Sequence, residues 1–407
     1  MANYKFLTPA CHLSHKPVSH SLANLACLAN IGHPMRILIA IDKFKGSISA
    51  PVAVRTIEKA LKQAVPEAEC DLCPIADGGE GTAEAVIAAL NGEWCETATF
   101  DAQNRPVTAR YGLVHDKGRL EAVMEMSSAS GLAMVSDLPL DPATATTHGT
   151  GLMLLDAAER GTDRIVIGIG GSATNDAGIG MAAALGFRFL AADGSPLEPI
   201  MQNINRLARI EPPDLMFPEI LVACDVNNPL LGPHGCTRVY GPQKGVKDFA
   251  YFESRLQHLA DIVKRDLGVD HRDVPSAGAA GGLGFGLMSF CGAKLTSGFD
   301  LIADLVHLRR RIATADLVIT GEGRLDAQTL HGKGPMGVAD LARELGKPIA
   351  AFAGAIEAED QLRTRFDLLC AIKPKDMPLA EAMQRGPELL ETAVLSQSRA
   401  LLDLLTP

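Results

Sequence analysis

Short apolar runs that stop at glycine-rich polar loops recur along this chain, and that rhythm limits its fold more than any other feature. Arg36-Ile-Leu-Ile-Ala-Ile41 has the continuous apolar character of a strand buried on both faces. It ends in the polar stretch Asp42-Lys-Phe-Lys-Gly-Ser-Ile-Ser49. A helix is expected next: Ser49 suits the N-cap, Pro51 fits the first turn, and Val54, Ile57, Leu61 and Val65 form one apolar stripe. The pattern then repeats, with Cys70–Ala76 as a strand, Asp77-Gly-Gly-Glu-Gly81 as a loop and Thr82–Leu90 as a helix. Two such units in succession predict a doubly wound, mostly parallel α/β sheet with its polar loops at the carboxyl ends of the strands.

The middle of the chain is written differently. Trp94–Phe100, Val107–Leu113 and Leu120–Met126 read as β segments joined by turns, with no room for helices between them. Further on, Ile165–Ile169 and Ile220–Ala223 read as strands, a helix runs to about Leu185, and Gly278–Phe290 reads as a Gly/Ala-rich helix. The first style returns after Asp300, with a helix over Leu301–Ile312, strands at Leu317–Thr320, Pro348–Phe352 and Leu368–Ile372, and an amphipathic helix over Leu379–Leu405. At 407 residues the chain exceeds one domain of roughly 100–200 residues. The expected organisation is a doubly wound domain of 35–95 plus 300–407, interrupted by a mixed α/β domain of 96–299, with a cleft between them.

Composition excludes several classes of function. A net charge of −10 argues against a nucleic-acid binder, which needs a basic face. Nine cysteines in so long a chain make no disulfide framework and fit a cytoplasmic protein with reduced thiols. No apolar run approaches the roughly 20 residues of a membrane span. Residues 1–34 carry His12, His15, His20 and His33, but their spacing matches no zinc pattern, and Asn24 and Asn30 interrupt the apolar stretch a signal peptide would need. They read as a disordered extension ahead of a start at Met35.

Chemistry concentrates in five loops. Asp42–Ser49 offers the ammonium groups of Lys43 and Lys45 beside Ser47 and a helix N-terminus, a ready anion site. Asp77-Gly-Gly-Glu-Gly81 sets two carboxylates among glycines that permit close backbone approach. Gly168-Ile-Gly-Gly-Ser-Ala173 has the form G-x-G-x-x-A, with Asp193 some twenty residues on, and so imitates a dinucleotide fingerprint. Asn175 and Asp176 count against that reading, because they fall in the expected first helical turn, where a carboxylate repels pyrophosphate unless a cation intervenes. Asp193-Gly-Ser-Pro also reads as a hairpin turn. Cys224-Asp-Val-Asn-Asn-Pro229 supplies the hard oxygens of Asp225, Asn227 and Asn228, suited to Mg²⁺ or to Asx-turns. Thr320-Gly-Glu-Gly-Arg-Leu-Asp326 supplies Glu322, Arg324 and Asp326, followed by Lys333; Arg324 can grip a carboxylate bidentately and Lys333 can neutralise a phosphate. There is no Walker A loop, protein-kinase signature or serine nucleophile elbow, and Cys70-x-x-Cys73 is a buried strand pair before it is a redox motif.

Taken together the loops identify a likeness. The chain resembles the glycerate kinase type 1 family in Ile37–Ser49 (ILIAIDKFKGSIS), Ile75–Glu84 (IADGGEGTAE), Thr147–Thr150 (THGT) and Gly168–Gly180 (GIGGSATNDAGIG). Cys224–Pro229 (CDVNNP), Gly278–Gly284 (GAAGGLG) and Thr320–Asp326 (TGEGRLD) continue it in order. Two departures are Ile41, where the family often has Pro before the Asp, and residues 1–34, which have no counterpart. The resemblance implies ATP and Mg²⁺ as cofactors and D-glycerate as substrate, with 2-phosphoglycerate the expected product ahead of 3-phosphoglycerate. With the loops it suggests these roles: Gly170, Gly171, Ser172, Ala173, Asn175 and Lys333 for ATP, and Asp176, Asp225 and Glu322 for the metal. Lys45, Ser47, Arg324 and Asp326 would hold glycerate, with Lys45 and Arg324 as clamp and Asp77 as orienting base. A kinase for another small hydroxy acid, an NAD-dependent dehydrogenase using the Gly168 loop and a non-catalytic sugar-acid sensor are the alternatives.

Overall fold

A computed structural model describes residues 34–326, 334–357 and 359–405. In chain order its strands are β1 (Arg36–Ile39), β2 (Glu69–Leu72), β3 (Glu93–Phe100), β4 (Pro106–Asp116), β5 (Arg119–Glu125), β6 (Arg164–Gly168) and β7 (Arg188–Leu190). They continue as β8 (Arg209–Glu211), β9 (Glu219–Ala223), β10 (Lys294–Thr296), β11 (Leu317–Leu325), β12 (Ile349–Ile356) and β13 (Leu368–Ala371). Among the described residues two main sheets form. The first, ordered β13-β12-β11-β1-β2, is parallel throughout. The second, ordered β10-β9-β6-β5-β4-β3, is antiparallel only where β3, β4 and β5 meet. A small antiparallel pair, β7-β8, stands apart. This is the expected doubly wound α/β architecture with a mixed second sheet.

The sheets do not keep separate cores. Helix Thr82–Leu90 follows β2, yet its Val86 and Ile87 pack in one cluster with Leu38 and Ile75 of the first sheet's side and Val114, Val123 and Val166 of the second. Gly112 on β4 admits this packing: a Cβ there would lie 2.2 Å from the Ile87 side chain. Each of these aliphatic side chains contributes roughly 1.5–3 kcal/mol by leaving water, so the shared cluster holds the sheets in fixed relation. The chain leaves the first style of structure between Leu90 and Glu93 and returns to it after Thr296.

Several expected elements change shape for local reasons. β2 is regular only to Leu72, yet Cys73 and Ile75 N–H still donate to the Ile39 (2.9 Å) and Ile41 (3.0 Å) carbonyls, and Pro74 is tolerated because position 74 of this edge strand faces away from the first strand. The loop expected over Thr320–Asp326 is mostly strand, since β11 runs on through Leu325 beside β12. The helix expected over Leu301–Ile312 is two, Gly298–Leu305 and Leu308–Thr314, divided by His307 at φ 56°. The C-terminal helix also breaks, at Arg385 just ahead of Pro387, into Leu379–Gln384 and Gly386–Asp403. Among the described residues no helix is long and apolar enough to cross a membrane. The expectations for residues 1–33 lie outside the described residues.

Candidate active site

The strands bring loops from both sheets to one place. After β2 the chain turns at Gly78 (φ 87°) and Gly81 (φ 89°), backbone conformations that suit glycine. This loop is wedged against the carboxyl ends of β6 and β9: a Cβ on Gly78 would lie 2.6 Å from that of Ala223, and one on Gly168 would lie 2.4 Å from the Gly78 carbonyl oxygen. Gly298 completes the wedge, because a Cβ there would lie 1.9 Å from the Asp77 carbonyl oxygen and 3.1 Å from Asp225 Oδ2. Asp77 and Asp225, from different sheets, are thus held side by side by three positions with no space for a side chain.

Two cavities flank this wedge, and Asp77 lines both. One, of about 340 Å³, is bounded by Asp77, Gly170, Gly171, Ser172, Asp225 and Lys244. Its glycine loop is tied down by Leu132 N–H on the Gly171 carbonyl (2.8 Å) and Ala173 N–H on that of Ser130 (2.9 Å). Gly171 is left-handed at φ 74°, and the N–H groups of Gly170, Gly171 and Ser172 find no backbone acceptor among the described residues. Donors grouped in this way form an anion cradle. The other cavity, of about 630 Å³, is bounded by Asp42, Lys43, Lys45, Glu322, Arg324 and Glu357 among others.

The proposed site residues divide by position. Gly170, Gly171, Ser172 and Asp225 line the first cavity; Lys45, Ser47, Glu322 and Arg324 line the second. Lys45 has no hydrogen-bond or ion-pair partner among the described residues and is exposed. Ser47 is partly committed, its hydroxyl donating to the Met383 carbonyl (2.6 Å). Arg324 holds Glu357 (2.7 Å) and Asp326 (3.3 Å), so Asp326 supports the arginine and does not line the cavity. Lys333 lies outside the described residues.

Asn175 and Asp176 are not in a first helical turn. The helix begins only at Ile179, after the left-handed Ala177 (φ 50°) and Gly178 (φ 77°), and both polar side chains are buried. Asp176 accepts from Thr147 N–H and Oγ1–H (both 2.8 Å) and from Gly178 and Gly180 N–H (3.2 and 3.3 Å). Its carboxylate therefore caps this turn in the interior and lines neither cavity. Burial raises its pKa, and those four bonds oppose the shift. Asn175 donates to Thr237 (3.0 Å) inside the same packing. The metal set of Asp176, Asp225 and Glu322 is accordingly not gathered: one member is interior and the others occupy different cavities. Among the described residues no cluster of three or more His, Cys, Asp or Glu is placed to hold a metal by protein ligands alone. In the Cys224–Pro229 loop, Asn228 is occupied by Tyr240 (2.7 Å) and by the His234 carbonyl (2.8 Å).

Two cavity residues, Asp42 and Lys244, escape sequence reasoning, and Lys43, expected in an anion site, takes a structural bond instead. Asp42 is buried, and removal from water lifts its carboxyl to about 6 from an ordinary 3.8, opposed by Lys43 and assisted by Asp77. Lys43 donates to the Glu80 carbonyl and so bridges the two loops of the first sheet. Both stood in a loop already singled out. Lys244 did not: Gly-Pro-Gln-Lys-Gly reads as a plain turn, and nothing in its pattern reveals that the side chain points inward.

A model of the glycerate kinase family matches residues 37–401 of this chain. The chain belongs to the glycerate kinase family. The Halalkalibacterium halodurans protein named glycerate kinase is 43% identical over 88% of this chain and 96% of its own length. The Escherichia coli K12 protein named glycerate 2-kinase is 43% identical over 79% of this chain and 86% of its own. A crystal structure assigned to glycerate kinase 2 of Salmonella typhimurium LT2 superposes with a TM-score of 0.83 at 38% identity, covering 91% of this chain and 99% of that one. Within the glycerate kinase fold, the Gly168 loop departs from a dinucleotide fingerprint at the point that matters for pyrophosphate. No helix opens directly after it, and Asp193 sits in an exposed turn with its carboxylate on Ser195 N–H (2.9 Å).

Proposed function

We propose that this chain transfers the γ-phosphoryl group of ATP to D-glycerate, giving 2-phosphoglycerate. The observation that carries the reading is the meeting of two unlike cavities at one carboxylate, Asp77, in a chain of the glycerate kinase family. Phosphoryl transfer asks a protein mainly for position and charge neutralisation. The N–H groups of Gly170, Gly171 and Ser172, without a backbone acceptor among the described residues, suit the triphosphate, and the Lys45 ammonium, with Arg324 beyond it, suits the glycerate carboxylate. Asp77 Oδ1 is held by Gly79 N–H (3.1 Å), which leaves Oδ2 to accept the proton of the attacking hydroxyl. The bond from phosphorus to the β–γ bridging oxygen breaks, the bond to the glycerate oxygen forms, and ADP departs.

Mg²⁺ fits the donor set present. It is commonly bound through one or two carboxylates together with substrate phosphates, and Asp225 would supply a hard-oxygen ligand from the wall of the phosphate cavity. When bound, it would neutralise charge building on the phosphate oxygens. The test is incubation with ATP, Mg²⁺ and D-glycerate followed by phosphorus NMR. Formation of 2-phosphoglycerate is expected; no ATP consumption, or preferential phosphorylation of tartronate or a longer aldonate, would contradict the assignment.

A further inference from the structure

A lysine is almost never buried without a carboxylate, yet Lys244 is 1% exposed and among the described residues none lies within ion-pair distance of its Nζ. Nζ donates to two neutral oxygens, Ser172 Oγ (2.6 Å) and the Thr174 carbonyl (2.7 Å). An ammonium has three N–H groups, so one is left over, and Lys244 lines the cavity that holds the glycine loop. Its position is fixed from behind. Pro242–Lys244 is a single 3-10 turn closed by the left-handed Gly245 (φ 88°), with Lys244 N–H on the Gly241 carbonyl (2.9 Å).

Building from the same facts, we propose that Lys244 is the buried countercharge for the phosphoryl groups seated on the Gly170–Ser172 loop, its third N–H bonding a phosphate oxygen of the nucleotide. The inference rests on the proposed placement of ATP at that loop. A second consequence follows at Ser172. Because Ser172 Oγ accepts from Lys244, its own hydrogen is directed away from the lysine and can be given to the same phosphate. Without an anion the ammonium is poorly compensated, since burying a charge costs several kcal/mol. Burial accordingly lowers its pKa to about 8, against the weaker opposing pull of Cys236 and Asp176. Neither of those is bonded to the ammonium: burial holds the Cys236 thiol up at about 11, and the Asp176 carboxylate accepts from four other donors.

The experiment compares Lys244→Met, Lys244→Arg and Gly171→Val by calorimetric titration with the Mg²⁺ complex of a non-hydrolysable ATP analogue, alongside thermal melting of the ligand-free proteins. Lys244→Met is expected to weaken the nucleotide by about 30-fold or more, to leave the glycerate KM within about twofold, and to melt no lower than wild type. Lys244→Arg should recover most of the affinity, and Gly171→Val should lose it. Wild-type affinity in Lys244→Met while Gly171→Val has lost binding overturns the role of Lys244 and leaves the loop assignment standing. Undiminished affinity in both overturns the loop assignment and this inference together. A lowered melting temperature in Lys244→Met with unchanged affinity marks a purely structural lysine. Should that variant fail to fold, wild type answers alone. The ionisable groups facing Lys244 are Asp176 and Cys236, with Asp77, Asp225 and Tyr240 on the same cavity wall. Nucleotide binding at about pH 8.5, titrated in buffers of different ionisation enthalpy, is expected to take up protons as the ammonium is restored. No uptake contradicts the proposal.

Discussion

The cavity on the second sheet takes its donors from backbone N–H groups and one buried ammonium, whereas the cavity on the first sheet takes them from side chains that stand partly in water and already hold one another. The Gly170–Ser172 loop is pinned through the Gly171 carbonyl and the Ala173 N–H, and Lys244 is fixed by a closed turn. Arg324, by contrast, is exposed and paired with Glu357 and Asp326. The first arrangement needs no reorganisation to receive a polyanion; the second must exchange partners when a small acid enters. Rigidity sits where charge is largest, and adaptability where the substrate is small.

The sharpest way to break this contrast is at the residue common to both sides. Asp77→Asn keeps the shape and removes the base, so kcat should fall by about 10²–10⁴-fold with little change in either KM; a fall in affinity alone, read by steady-state kinetics, would remove Asp77 from the chemistry. Next comes the buried Asp42. Its pKa is raised, to about 6 from 3.8, so the folded protein binds this proton more tightly than the unfolded chain does. The stabilisation is therefore full below about pH 4 and is lost as pH rises through about 6, roughly 3 kcal/mol in all. Urea unfolding of wild type and Asp42→Asn across that range should show wild type losing ground as pH rises; parallel curves would contradict the burial argument.

A smaller effect sharpens the contrast within the first-sheet cavity. Lys45→Ala should raise the glycerate KM by about 10–30-fold, since its ammonium has no other partner among the described residues, and Arg324→Ala by less, because its pairs on Glu357 and Asp326 must be given up to bind substrate. Neither should alter the KM for ATP, and equal changes for both substrates would undo the division of labour. The smallest effect is expected at Cys70-x-x-Cys73. Burial pushes these thiols up to about 11 and 12, so oxidised and reduced glutathione should leave activity within about twofold of each other.

What was legible in the sequence follows from what fixes each feature. Buried strands announce themselves through unbroken apolar runs, and the wedge at Asp77-Gly-Gly was visible because only glycine tolerates such close backbone contacts. The end of the 168–180 loop departs from the expected helix because Ala177 adopts a left-handed conformation unusual for alanine, which delays the helix and turns Asp176 inward. Thr320–Asp326 looked like a loop because its glycines imitate one, while pairing with β12 makes it strand. In Gly278–Phe290 three successive left-handed residues, Ala280, Gly281 and Gly282, precede the regular helix, and a Cβ on Gly281 would lie 2.0 Å from the Thr174 carbonyl oxygen. Lys244 was invisible for a related reason: whether a lysine in a short turn faces water or a cavity is decided by distant packing.

Nucleotide phosphates and glycerate are expected on opposite sides of Asp77. A crystal structure with Mg²⁺, a non-hydrolysable ATP analogue and D-glycerate tests this placement most directly. The expected result has phosphate oxygens against Gly170, Gly171, Ser172 and Lys244 Nζ, with the glycerate carboxylate at Lys45 and its hydroxyl at Asp77. A nucleotide lying instead in the cavity of Lys45 and Arg324, with glycerate on the glycine loop, would contradict it.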